Sequence, residues 1–180
     1  MAHWRQMTED DLGGVMTVAE AVHPDLPETR EVIAERLALY PAGCLVLDDG
    51  GAVGGYAVSH PIRQGQPPQL NCLLGSIRED ADVFYIHDVA LMPVLRGGGH
   101  AAQVVGLILD LAQNYGRVGL IAVYDAASFW SRFGFVPSHV VGHEKLAAYG
   151  KGATFMEKVL VPSACGAGNG PGQATGAVRQ

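Results

Sequence analysis

His87 and Asp88 sit within an otherwise largely apolar run, residues 83–92, and just beyond Pro93 come Arg96, the triplet Gly97-Gly98-Gly99, His100 and Ala101. Imidazole changes charge close to working pH and suits a general base. A carboxylate attracts a cation, or orients a neighbouring ring. Glycine lets backbone amides approach a ligand where a side chain would collide. The first amides of a helix have no internal acceptor, so such a triplet ahead of a helix is suited to binding phosphate. The plainer alternative is that the glycines only make a tight turn. A Walker-type phosphate loop would need lysine and then serine or threonine after the last glycine, where this chain has His100-Ala101. A dinucleotide loop would need wider glycine spacing and an acidic residue one strand later, and both are missing.

Those side chains require a strand to carry His87 and Asp88 and a helix that starts after Gly99. The apolar run supplies the first; Ala101, Ala102, Val104, Val105, Leu107, Ile108, Leu109 and Leu111 supply the second, a helix of residues 99–115 closed by Gly116. Earlier, residues 4–7 form a short strand, and Thr8 with three acids opens a helix to residue 22. The prolines of 23–27 break the chain before a second helix of 28–40, which Pro41 stops. Residues 44–47 and 52–59 flank Asp48-Asp49-Gly50-Gly51, a hairpin signal. After a proline-bearing loop (61–68), an unassigned apolar segment (70–77) and a charged turn (78–82) comes the central strand. Residues 119–124 then form a buried strand parallel to it, 126–133 a short helix, and 135–141 with 153–160 an antiparallel pair.

Length and composition constrain the rest. The chain has 180 residues, 48% of them hydrophobic, which suits one domain (1–161) with a substantial core, and the Gly- and Ala-rich remainder (162–180) is expected to be disordered. A net charge of −6 with scattered basic residues argues against sequence-independent nucleic-acid binding. Cys44, Cys72 and Cys165 show no paired spacing and no nearby zinc ligands. Without a signal-like apolar start or a membrane-length run, the expectation is a cytoplasmic protein that contacts no membrane.

The stretch from Arg96 resembles the acyl-CoA site of the GNAT superfamily of N-acetyltransferases: arginine or glutamine, two residues, glycine, one residue, then glycine or alanine. Arg96, Gly99 and Ala101 fill those places. Val89-Ala90-Leu91-Met92-Pro93 resembles the superfamily's strand end. Phe129-Trp130-Ser131-Arg132-Phe133-Gly134-Phe135 resembles its aromatic segment, and Phe155-Met156-Glu157-Lys158-Val159-Leu160 its closing strand.

The resemblance implies an α/β fold: a central mixed, mostly antiparallel twisted sheet of about six to seven strands, flanked by about four helices, with a splayed central parallel pair. It implies acetyl transfer from acetyl-CoA directly to a primary amine of a small molecule or peptide, in a ternary complex and without a metal. The co-substrate would lie against Val89, Ala90, Leu91, Arg96, Gly97, Gly98, Gly99, His100, Ala101 and Phe129, with a backbone amide at or beside Leu91 polarising the thioester carbonyl. His87 is the candidate base and Asp88 its near rival, since neighbours on a regular strand face opposite ways. The alternative makes His87 a satisfied core histidine and Asp88 a capping acid. Trp130 stands where many members carry an acidic tyrosine, which leaves Tyr124 as the nearest aromatic hydroxyl to protonate the departing thiolate. The same substitution motivates a rival reading, a non-catalytic acyl-CoA-binding module. The early helices would place His23, Asp25 and Tyr40 near the acceptor, although each alone reads as a solvated or capping residue. Dimers are common in the superfamily, so a homodimer is compatible with the resemblance.

Overall fold

The computed structural model describes residues 1–161; the tail and Cys165 lie outside the described residues. The elements are β1 (His3–Gln6), α1 (Leu12–Val22), α2 (Arg30–Leu39), β2 (Cys44–Asp49), β3 (Ala52–Ile62), β4 (Val83–Leu91), α3 (His100–Leu111), β5 (Arg117–Ala122), α4 (Ala127–Ser131), β6 (Val136–Pro137), α5 (His143–Leu146) and β7 (Thr154–Val159). Among the described residues, the strands form one mixed sheet in the order β1-β2-β3-β4-β5-β7-β6, in which only β4 and β5 run parallel.

Alternation along the strands sorts the core into two faces. Tyr56 and Val58 of β3 pack under α1 and α2 against Leu12, Val15, Val18, Ile33 and Leu37. Ala57 of β3 and Phe84 and Ile86 of β4 point the other way, to Val104, Val105 and Ile108 of α3 and to Trp130 of α4. A third cluster, Ile62, Val83, Tyr85 and Phe155, lies under Leu146 of α5.

The central strand is irregular in a way that matters for the site. Along β3 and β4, Val58 pairs with Asp88 but Ser59 pairs with Ile86, so His87 is an extra residue in β4, a β-bulge. The bulge resets the alternation. Tyr85, His87, Asp88 and Ala90 all fall on the α1 side, whereas Ile86 and Val89 pack toward α3. Pairing between β4 and β5 covers only Phe84–Ile86 against Val118–Leu120. Past Ile86, β4 stays with β3 while β5 stays with β7, and the sheet parts.

Several boundaries differ from the sequence reading. α2 begins at Arg30 rather than 28, which leaves Glu28 outside the helix, before its cap Thr29. The expected strand of 135–141 shrinks to Val136–Pro137, with one further bond from the Ser138 amide to the Phe155 carbonyl before the chain leaves β7. Segment 70–77 has no regular structure and is tied down by Glu35, which accepts hydrogen bonds from the amides of Leu74 and Gly75. Among the described residues, no helix is long and apolar enough to cross a membrane.

Candidate active site

Two adjoining cavities open where β4 and β5 separate. One, of about 660 Å³, runs along the glycine turn and α4, lined by Leu91, Arg96, Gly97, Gly99, His100, Ala101 and Phe129 among others. The other, of about 370 Å³, lies on the α1 side and includes His23, Glu28, Tyr85, His87, Asp88, Tyr124 and Tyr149. Val22, Val89, Arg96, Ala126 and Trp130 line both, so one continuous passage crosses the split sheet.

The glycine groove has the features of an anion cradle. Gly97 and Gly99 adopt φ of +82° and +79°, and a Cβ added to either would meet nothing within 4 Å. The first helical bond of α3 runs from the Gln103 amide to the Gly99 carbonyl. The amides of His100, Ala101 and Ala102 precede it and have no helical acceptor. Trp4 fixes this end of α3, its indole donating to the His100 carbonyl at 2.9 Å. Arg96 is anchored at the rim through Nε to the Leu91 carbonyl, 3.3 Å. Because the Met92 amide bonds the Gly54 carbonyl on β3, alternation turns the Leu91 amide and carbonyl the other way, into the opening.

The second cavity holds two histidine–carboxylate pairs. His87 Nε2 lies 2.7 Å from Glu28 Oε2; the His87 side chain is 3% exposed, and its Nδ1 has no partner. Asp88 Oδ1 is 2.9 Å from His23 Nε2, within ion-pair range although the ring N–H is not aligned for a hydrogen bond. Its other oxygen accepts a short hydrogen bond from the Tyr56 hydroxyl. Burial alone would raise the Asp88 carboxyl, but His23, Tyr56 and the charge of His87 outweigh it and hold the group below the ordinary carboxylate range. Glu28 behaves likewise: burial raises it, and His87 together with the Asn71 amide brings it below its usual value. Burial pulls His23 down, and Asp88 and Glu28 more than restore it, so its net shift is upward. Behind them the His60 ring is fully buried, 5.8 Å from that of His87; burial, then the charge of His87, pushes it down to about 3.

Comparison with known proteins agrees with this layout. The family model for the acetyltransferase (GNAT) family matches residues 5–135. The chain belongs to the GNAT family. Its sheet with a single parallel pair, flanked by helices, is the GNAT fold. Ard1 from Thermoplasma volcanium superposes with a TM-score of 0.64 at 17% identity, covering 89% of this chain and 98% of that one. The loading GNATL domain of CurA from Lyngbya majuscula gives 0.70 at 12% identity over 88% and 98%. Arabidopsis thaliana Naa50, in complex with the bisubstrate analogue CoA-Ac-MVNAL, gives 0.66 at 12% identity over 88% and 99%. No curated protein matches the sequence. GNAT proteins are acyl-CoA-dependent acyltransferases.

Within this GNAT chain, the residues singled out from sequence fall into groups. Val89, Leu91, Arg96, Gly97, Gly99, His100, Ala101 and Phe129 line the glycine groove. Ala90 does not: it is 1% exposed and packs into the α1 core beside Tyr56 and Val58, where the bulge has turned it. Gly98 lies outside the lining too, and a Cβ there would come 3.1 Å from the His100 ring. The bulge brings both His87 and Asp88 to one cavity, where regular alternation would have parted them. Tyr124 lines that cavity, 50% exposed, with a strained φ of +50° and its ring stacked on His23 at 5.7 Å. Of the acceptor-side candidates, His23 is in place. Asp25 lines neither cavity, and Tyr40 caps α2 and packs on Phe84. The sequence reading does not single out Glu28 or Tyr56; the only signal for Glu28 is an acid following Pro27 in the acceptor-side segment, and Tyr56 has none.

Proposed function

We propose that this chain is an N-acetyltransferase that moves the acetyl group of acetyl-CoA to a primary amine of a small molecule or peptide, within a ternary complex. The observation that carries the reading is the passage joining an anion cradle to a cavity with two histidine–carboxylate pairs, at the place where the sheet splits. The cradle fits the diphosphate of a CoA thioester: unpaired amides at the start of α3, two left-handed glycines with open space above them, and the Arg96 guanidinium. Acetyl-CoA bound there supplies an activated acyl carbon. The Leu91 amide, turned into the opening, donates to the acyl oxygen as negative charge develops on it.

An alkylamine is mostly protonated at neutral pH and must lose a proton to attack. His87 takes it. With Glu28 ionised, Nε2–H donates to that carboxylate and leaves the buried, partnerless Nδ1 as the acceptor for the amine's proton. Asp88, held ionised by His23 and Tyr56, attracts the incoming ammonium group. As the amine nitrogen bonds to the acyl carbon, the carbon–sulfur bond breaks; the Tyr124 hydroxyl gives its proton to the thiolate, and the second proton that the nitrogen sheds as the amide forms restores the tyrosine through solvent. A thiol with a pKa near 8.5 is already a fair leaving group, so this last role is the least demanding.

Thiol release from acetyl-CoA across a panel of amines tests the reading. His87→Ala is expected to lower kcat by about 10²- to 10⁴-fold, the usual range for loss of a general base, with acetyl-CoA affinity changed little. Acetyl-CoA binding without turnover on any amine would favour a non-catalytic module instead. One structural neighbour at 14% identity is named as a GNAT-like decarboxylase in complex with isobutyryl-CoA, so carbon dioxide release from a carboxylated acyl-CoA, with no amine present, is the second assay to run.

A further inference from the structure

The acceptor cavity also carries information about what it would refuse. Its walls are largely apolar or aromatic, with Val22, Leu26, Leu70, Ile121, Tyr85 and Trp130 among them. Its charged side chains are Glu28, Asp88, His23, His87 and Arg96. The two histidines already face carboxylates, His23 against Asp88 and His87 against Glu28, and Arg96, its Nε on the Leu91 carbonyl at the rim, turns its terminal nitrogens to the co-substrate diphosphate in the ternary complex proposed above. An amino-acid acceptor would need a free guanidinium or ammonium for its α-carboxylate, and a bidentate arginine is the usual solution. Here that carboxylate would instead enter beside two buried acids. The buried and partnerless Nδ1 of His87 is an independent sign that a polar ligand completes this cavity.

Resting on the acyltransferase reading, we propose that Glu28 and Asp88 make this cavity selective for amines with no free carboxylate beside the reacting nitrogen. Alkylamines and arylalkylamines satisfy that rule, as do amino acids whose carboxyl is masked as an amide. Glu28 is the specificity-determining residue of the two, because His87 is neutral when it acts as base and leaves the charge of Glu28 standing, whereas Asp88 faces His23 and is hydrogen-bonded by Tyr56.

The experiment uses the full chain with acetyl-CoA and two matched triplets: 2-phenylethylamine, phenylalanine amide and phenylalanine; 3-methylbutylamine, leucine amide and leucine. Within a triplet the amine and the amide are expected within about tenfold of each other in kcat/KM. The free amino acid is expected about a hundredfold lower, the effect of a like charge roughly 6 Å away in half-buried surroundings. Glu28→Gln should narrow the gap between amide and acid by about tenfold. That readout is a ratio, so a partly misfolded preparation does not distort it, and Asp88→Asn, measured the same way, should narrow it less. Free amino acids used as well as their amides, or an unchanged ratio in Glu28→Gln, would overturn the selectivity while leaving the acyltransferase reading intact. Acetyl-CoA binding with no turnover on any member would remove the reading and the selectivity with it.

Discussion

Replacing Gly99 by alanine separates a phosphate cradle from a simple turn. At φ +79° an alanine adopts a left-handed backbone at a cost of about 1 kcal/mol, and its methyl meets no protein atom within 4 Å, so the free protein suffers only the strain. For a chain of this size that corresponds to a fall in Tm of about 2–4 °C. Gly97→Ala, at φ +82° and equally unobstructed, should match it. Gly98 is not among the left-handed glycines, and its added methyl crowds the movable His100 ring and touches the Leu95 carbonyl at an ordinary 3.8 Å; Gly98→Ala should cost less than about 0.5 kcal/mol. If the turn cradles a diphosphate, the open space above Gly99 is where the ligand goes, and the methyl displaces it. Losing one aligned amide-to-phosphate hydrogen bond weakens acetyl-CoA binding about 10- to 100-fold, well beyond the stability loss. Thermal melts paired with calorimetric titration of acetyl-CoA measure both quantities on one sample. A lowered Tm with unchanged heat and affinity would refute the cradle and leave only the turn.

Tyr124→Phe is expected to reduce kcat while leaving acetyl-CoA affinity alone, and a kcat equal to wild type would remove the tyrosine from the proton path. The fully buried His60 gives a pH test of stability. Its folded value is pushed down to about 3, so below about pH 6.5 the unfolded chain binds a proton that the folded chain refuses. Stability therefore falls as pH drops from about 6.5 toward 3, by up to about 1.4 kcal/mol per pH unit from this group, and urea midpoints measured across that window should lose the corresponding slope in His60→Phe. Trp4→Phe deletes the 2.9 Å bond to the His100 carbonyl, with an expected loss of about 1 kcal/mol read by urea denaturation.

The chain's local signals revealed a good deal of this. The Asp48-Asp49-Gly50-Gly51 turn marks the β2–β3 hairpin, and the apolar run followed by glycines marks the passage from β4 to α3. What could not be read locally are contacts between distant segments. Glu28 and His87 are 59 positions apart, and neither residue's neighbours announce the other. Tyr56 looks like any strand tyrosine until pairing sets it opposite β4, where its hydroxyl meets Asp88. The bulge at His87 is equally silent, because an extra residue in a strand changes the pattern only relative to its partner, and the partner is not encoded beside it. Without the bulge, His87 and Asp88 face opposite ways, and Ala90 follows Asp88 toward α3.

That single supernumerary residue acts as a parity switch. Upstream of it, odd positions of β4 look toward α1; downstream, even positions do. Deleting one residue at 87 would restore a regular ladder, yet it would also remove one of the two adjacent polar groups that share the cavity. Keeping the length but straightening the strand would turn Asp88 into the α3 core and Leu91 toward α1. The acid beside the amine and the amide beside the acyl oxygen are thus set by one count along the chain, and an insertion or deletion between Ile86 and Asp88 would disturb both together.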